Sequence, residues 1–199
     1  MQLFILYDII IENVVRYIGQ LFYGVINLKY SELSKTCCFF GHRKIYKSDE
    51  LVKRVTDVIE SLIKNNEVDT FLFGSKSEFD DLCLKLVTEF KNKNPHIRRI
   101  YVRAEYPYID ERYRKQLLNQ YDDTYYPDKL INSGRAVYVE RNYEMIDKSY
   151  YCVIYYDKAY LPPQRKNSKR DLFNYQPKSG TGIAYNYAVL NGREIINVL

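Results

Sequence analysis

The sequence predicts an α/β fold, a mostly parallel sheet with helices on both faces, and three observations predict it. From Lys35 onward, short β-rich apolar runs alternate with segments of helical period. Two of those runs stop at a glycine, Gly41 and Gly74, as strands do when they feed a tight loop. The chain has 199 residues, 46% hydrophobic and 28% charged, enough to bury one core without disulfide or metal staples. Regular alternation of strand and helix implies right-handed crossovers and therefore parallel strands.

The elements follow in order. Residues 1–34 read as an apolar helical extension, with Asp8, Glu12, Arg16 and Gln20 recurring at i, i+4 as one narrow wet stripe. Ile10, Ile11, Val14, Val15, Ile18, Leu21, Phe22 and Val25 then form a broad apolar face that needs cover. The polar interruptions, with no basic stretch before them and no small-residue cleavage site after, argue against a signal peptide or a transmembrane segment. The expected cover is the chain's own domain or a second copy, which makes a homo-oligomer through this helix an expected partner. Interfacial membrane binding is the alternative, although the stripe lacks the lysine and arginine that such helices carry. A start placed too early would also account for the segment.

Residues 35–199 carry the Rossmann-like pattern. Thr36–Phe40 is the first expected strand, and Leu51, Val55, Val58, Ile59 and Leu62 mark a helix after it. Thr70–Phe73 is the second, followed by a helix marked by Phe79, Leu82, Cys83, Leu86, Val87 and Phe90. Ile97–Val102 reads as a third strand, Ala136–Val139 as a short fourth and Arg141–Lys148 as a helix. Tyr151–Tyr156 reads as a fifth strand, Ile183–Leu190 as a helix and Glu194–Val198 as a last strand. Two insertions break the rhythm. Residues 103–133 are rich in tyrosine and charge, with a short helix at Tyr113, Leu117 and Leu118. Residues 157–178 form a basic loop with Pro162-Pro163, Arg165, Lys166, Lys169 and Arg170.

The formal charge of +5 favours anionic partners but is far from the single-sign field of a dedicated nucleic-acid binder. Only the basic loop at Arg165–Arg170 speaks for DNA or RNA, and solvated basic loops are common, so nucleic acid is not an expected partner. Cys37, Cys38, Cys83 and Cys152 show no CxxC spacing, and His42 and His96 are the only histidines. They read as reduced, buried thiols of a cytoplasmic protein, with no metal and no cofactor expected.

In an open parallel sheet, ligands bind beyond the carboxyl ends of the strands. Gly41-His42-Arg43 follows the first strand: glycine permits close backbone approach, and arginine grips a phosphate or carboxylate with two parallel bonds. A turn with a solvated arginine accounts for the tripeptide equally well. Gly74-Ser75-Lys76-Ser77-Glu78-Phe79-Asp80 follows the second strand and opens a helix, so its amides and hydroxyls suit a phosphate, while Ser77 with Asp80 also fits a simple helix cap. The GxxxxGK[ST] spacing of a nucleotide P-loop is absent. Lys178-Ser179-Gly180-Thr181-Gly182 repeats the arrangement before the last helix, with more small residues than a plain junction needs. Arg141-Asn142 opens the helix after the fourth strand and suits a ribose or phosphate, although Glu144 and Lys148 also give it an ordinary surface face.

Taken together, Cys37-Cys38-Phe39-Phe40-Gly41-His42-Arg43, Phe73 to Asp80, Val139-Glu140-Arg141-Asn142 with Met145-Ile146-Asp147, and Lys178 to Thr181 resemble the YpsA-like branch of the SLOG superfamily, over roughly Lys35 to Leu199. That superfamily includes the DNA-processing A proteins and the Lonely Guy phosphoribohydrolases. The resemblance implies a Rossmann-like fold that binds nucleotides or nucleotide-derived signals. Many YpsA-like sequences carry a Gly-Gly-Ala type loop where this chain has Gly74-Ser75-Lys76, which implies a narrower or differently selective pocket. Aligned on Gly180-Thr181, the Pro-Gly-Gly-x-Gly-Thr-x-x-Glu signature of Lonely Guy enzymes puts Ala184 where the glutamate should stand. Alanine transfers no proton, so that reaction has no support there.

Two readings of function result. The first is a non-catalytic sensor or carrier whose cleft, built from Gly41, His42, Arg43, Gly74, Ser75, Ser77, Asp80, Arg141, Asn142, Ser179, Gly180 and Thr181, holds a nucleotide or nucleotide-derived small molecule. The second is a hydrolase cleaving an N-glycosidic or phosphoester bond of such a ligand. Its candidate catalytic carboxylates are Glu78 and Asp80, with Arg43 or Arg141 stabilising charge. Glu78 and Asp80 are i, i+2 on one helix, so at most one of them points into the cleft.

Overall fold

The computed structural model describes residues 31, 33–74, 77–128, 134, 136–162 and 179–199. The N-terminal extension through residue 30, Ser75 with Lys76, and the basic loop from residue 163 to 178 lie outside the described residues. The described elements are β1 (Thr36–Gly41), α1 (Asp49–Asn65), β2 (Thr70–Phe73), α2 (Glu78–Lys93), β3 (Arg98–Val102), α3 (Glu111–Leu118), β4 (Asp123–Tyr125), α4 (Ala136–Asp147), β5 (Tyr151–Tyr155), α5 (Gly180–Leu190) and β6 (Glu194–Asn197). The six strands form one sheet in the order β4-β3-β2-β1-β5-β6, every neighbouring pair parallel. This is a Rossmann-like α/β fold.

Side chains of a strand alternate between faces, and the central strands are apolar at nearly every position because both faces are covered. Cys37, Phe39, Phe71, Phe73 and Val153 point to one face, where they pack with Val55 and Ile59 of α1 and Phe79, Leu82 and Val87 of α2. Cys38, Phe40, Leu72, Cys152 and Ile154 point to the other, against Met145 and Ile146 of α4 and Ala184 and Ala188 of α5. Phe39 stacks between Phe71 and Phe73, with ring centroids 5.9 and 5.1 Å away. Helix starts are fixed by side-chain caps: Ser48 accepts from the Leu51 amide at 3.2 Å, Ser77 from Asp80 at 3.1 Å and Ser179 from Gly182 at 2.9 Å.

One expected element is corrected. Ala136–Val139 is not a strand but the first turn of α4. Its valines favour strand locally, yet Arg141, Met145 and Ile146 are the buried residues of this helix, and their i, i+4, i+5 spacing packs against the sheet. The fourth strand is instead Asp123–Tyr125, within the stretch read as an insertion. With three residues and none fully buried, it offers no apolar run to detect. Its place at the edge is held by Asp122, whose Oδ2 accepts from the Arg99 amide at 2.8 Å and from Arg99 Nε at 3.1 Å. Among the described residues no helix is long and apolar enough to cross a membrane.

Candidate functional site

From β1 the chain moves outward through β2, β3 and β4, then returns to β5 on the other side of β1. The connections leaving β1 and β5 therefore diverge, which opens a crevice at their carboxyl ends. His42, the first residue after β1, bridges it from below. Its amide donates to the Tyr155 carbonyl at 3.2 Å, and its Nε2 accepts from the Asp157 amide at 2.9 Å. An accepting Nε2 makes the ring neutral, with its proton on Nδ1. Burial holds the imidazole below the usual histidine range, opposed by the nearby Asp157 carboxylate. Asp157 in turn folds the chain after β5: its Oδ1 accepts from the Ala159 amide at 2.8 Å, and its carbonyl from the Tyr160 amide at 3.2 Å. Arg43 is exposed, and its carbonyl accepts from the Glu78 amide at 3.0 Å.

The start of α5 forms the other wall. Ser179 caps it through Gly182, and the Ser179 carbonyl accepts from the Ile183 amide at 3.0 Å. Gly180 and Thr181 stand in the first turn of α5, where amides have no partner within the helix, and a side chain at Gly180 would meet open space. A Cβ at Gly182 would lie 3.1 Å from both the Ser179 hydroxyl and the Tyr156 hydroxyl, so the missing side chain lets this turn sit against the end of β5. Open amides at the positive end of a helix suit an anion.

The carboxyl ends of β2 and β3 are organised differently. Arg141, 4% exposed, reaches from α4 so that its Nη1 donates to the Gly74 carbonyl and faces the Val102 carbonyl at 3.5 Å. The side-chain Oδ1 of Asn142 accepts from Arg141 Nε at 3.1 Å and orients the fork. Burial pushes the guanidinium down from its ordinary value, with Asp80 opposing. The Asp80 Oδ2 accepts from the Gly74 amide at 3.2 Å. A Cβ at Gly74 would lie 2.6 Å from the guanidinium, and one at Gly41 would lie 2.7 Å from the Phe79 ring. At both glycines the protein's own side chains occupy the space that the sequence left for a ligand. Glu78 is also engaged, its Oε2 accepting from the Ile45 amide at 3.0 Å.

The structure thus sets Tyr156 between His42 after β1 and the Ser179–Gly182 turn that opens α5, while Gly41 and Arg43, on either side of His42, lie against Phe79 and Glu78. It gathers Gly74, Ser77, Asp80, Arg141 and Asn142 into a second, closed cluster beside them; Ser75 falls outside the described residues. Sequence reasoning missed Tyr156, Asp157 and Tyr160, which complete the crevice. The available signal was their position just after a strand, where ligand-facing loops begin. A concavity of about 400 Å³ lies at the opposite end of the sheet, lined by Val58, Ser61, Leu62, Asn66, Tyr150, Tyr151, Glu194 and Ile196, and no motif residue lines it. Among the described residues no cluster of histidine, cysteine, aspartate or glutamate is arranged to hold a metal ion.

No protein-family model matches the chain, and no curated protein matches it. Among solved structures it is similar to DNA processing protein A from Streptococcus pneumoniae, with 15% identity over 82% of this chain and 50% of that one and a TM-score of 0.49. It is also similar to DNA processing protein A from Helicobacter pylori, with 13% identity over 82% of this chain and 64% of that one and a TM-score of 0.49. The chain therefore spans about half to two thirds of the length of these proteins. The Helicobacter pylori structure concerns a single-stranded DNA binding mode, which corrects one expectation: nucleic acid no longer stands excluded as a partner.

Proposed function

We propose that the crevice between β1 and β5 binds a nucleotide or nucleotide-derived signal as a non-catalytic sensor or carrier, and that the chain stands with the YpsA-like branch of the SLOG superfamily. The observation that carries this reading is that, at the point where strand order reverses, Tyr156 lies between His42 after β1 and the Gly182 turn at the Ser179-capped start of α5. An exposed arginine and two open helix amides provide donors for phosphate oxygens without any further rearrangement of the core.

Binding is favoured over hydrolysis by what the two candidate carboxylates do. Glu78 and Asp80 accept backbone amides from Ile45 and Gly74 and so fasten the loops after β1 and β2. A catalytic carboxylate must exchange a proton with water or with the leaving group, a role at odds with holding a loop in place.

The test is a thermal-shift panel of nucleoside mono-, di- and triphosphates, ADP-ribose, cyclic nucleotides and a single-stranded oligonucleotide, with product analysis of every hit. A ligand at 100 times its Kd adds about 2.7 kcal/mol, or roughly 5–10 °C in midpoint for a chain of this size. A shift with intact ligand supports the reading. A shift with consumed ligand replaces it by the hydrolase, and no shift from any nucleotide removes it.

A further inference from the structure

Four aromatic rings follow one another from the turn after β5, past His42 and Tyr156, to α5. The Tyr160 ring lies 4.3 Å from that of His42 at an interplanar angle of 45°. His42 is 5.7 Å from Tyr156, and Tyr156 is 5.1 Å from Tyr185 of α5. Tyr160 ends the row and is 44% exposed, one side backed by the imidazole. Its position is not that of a free loop residue. The turn that carries it hangs on the His42 Nε2 through the Asp157 amide and is closed by the Ala159 and Tyr160 amides on Asp157. Lys158, in the same turn, holds its ammonium 5.6 Å from the Tyr185 ring centroid.

We propose that Tyr160, backed by His42, is the platform on which the aromatic base of the ligand stacks; this inference rests on the nucleotide reading above. A ring held by hydrogen-bonded backbone and supported from behind loses little freedom when a second ring covers it. Among the described residues the row carries its own tyrosine hydroxyls and the Lys158 ammonium beside Tyr185, so what it offers is flat π-surface with polar edges. Such a surface selects a planar heterocycle and sets no hydrogen-bonding edge code, so it accepts any base and prefers purines by ring area. The row ends at the first turns of α5, so a ligand with a base at one end and an anion at the other finds a place for each.

Calorimetric titration of AMP, UMP, ADP-ribose and ribose 5-phosphate into the full chain and its Tyr160→Ala and Tyr160→Phe variants tests this. Tyr160→Ala is expected to weaken AMP and ADP-ribose by about 5-fold to 150-fold, and to leave ribose 5-phosphate and the thermal midpoint unchanged. Tyr160→Phe keeps the ring and is expected to keep the affinity, with AMP ahead of UMP throughout. If the wild type binds AMP and ribose 5-phosphate equally, or Tyr160→Ala leaves AMP unchanged, the stacking role is overturned while the phosphate-binding crevice stands. If the wild type binds none of the probes, the nucleotide reading fails and this inference falls with it.

Discussion

The two halves of the sheet's carboxyl edge begin from similar sequence and end differently. At β2 and β3 a glycine after the strand is filled from within, because Arg141 lies over Gly74 and caps the strand carbonyls. At β1 the strand-end glycine, Gly41, is likewise covered, by the Phe79 ring, but beyond β5 the Asp157 turn hangs on His42 and the start of α5 leaves Gly180 facing open space. A glycine at a strand end is therefore evidence of close approach, but the approaching group can be the protein's own. Arginine shows the same division: Arg141 is buried and serves the fold, whereas Arg43 is exposed and free to serve a ligand.

The contrast breaks first at Arg141. Arg141→Ala removes the buried cation facing the Gly74 and Val102 carbonyls and is expected to cost about 3–5 kcal/mol in urea unfolding. A loss under about 1 kcal/mol would mean that the closed half is held by something else. Gly41→Ala places a Cβ against Phe79 and is expected to cost about 1–3 kcal/mol, part of which returns when Phe79 is also shortened to leucine. Arg43→Ala should do the reverse of Arg141→Ala. Stability should stay within about 0.5 kcal/mol while nucleotide affinity falls about tenfold, and unaltered affinity would remove Arg43 from the site.

The smallest expected effect concerns pH. The folded chain holds His42 below its unfolded value of 6.5, so in that window the unfolded chain binds more protons. Stability from this source is full above pH 6.5 and is lost as pH falls through the lowered folded value. His42→Gln, which keeps an acceptor for the Asp157 amide without a titrating ring, should flatten that part of a pH series of urea midpoints. An unchanged slope would show that the His42 ring is not the source of that pH dependence.

Most of the sheet was legible because buried parallel strands are continuous apolar runs, and Thr36–Phe40, Thr70–Phe73 and Tyr151–Tyr156 are such runs. Helix α4 misled at Ala136–Val139 because two valines speak for a strand locally, and only the packing of Arg141, Met145 and Ile146 decides otherwise. The edge strand Asp123–Tyr125 gave no periodic signal, since its position depends on Arg99 and Asp122, residues 23 apart in sequence. In the site, the loops were visible as glycine-bearing motifs, but which glycine faces a ligand depends on side chains arriving from other elements. Tyr160 was invisible for the same reason: its role follows from the register that sets β5 beside β1, which brings the chain after Tyr155 against His42.

That register also orders events during folding. Cys38 and Cys152, side by side on β1 and β5 with their sulfurs 3.5 Å apart, are separated by 114 positions. No other pairing in the sheet spans so much chain. Closing a loop of that length is entropically the most demanding step of assembling the sheet, and contacts of such range slow a folding reaction. β1, β2 and β3 pair across much shorter connections. The crevice, bounded by β1 and β5, exists only after the long closure is made, so a molecule captured there engages finished chains alone and draws the folding equilibrium toward them.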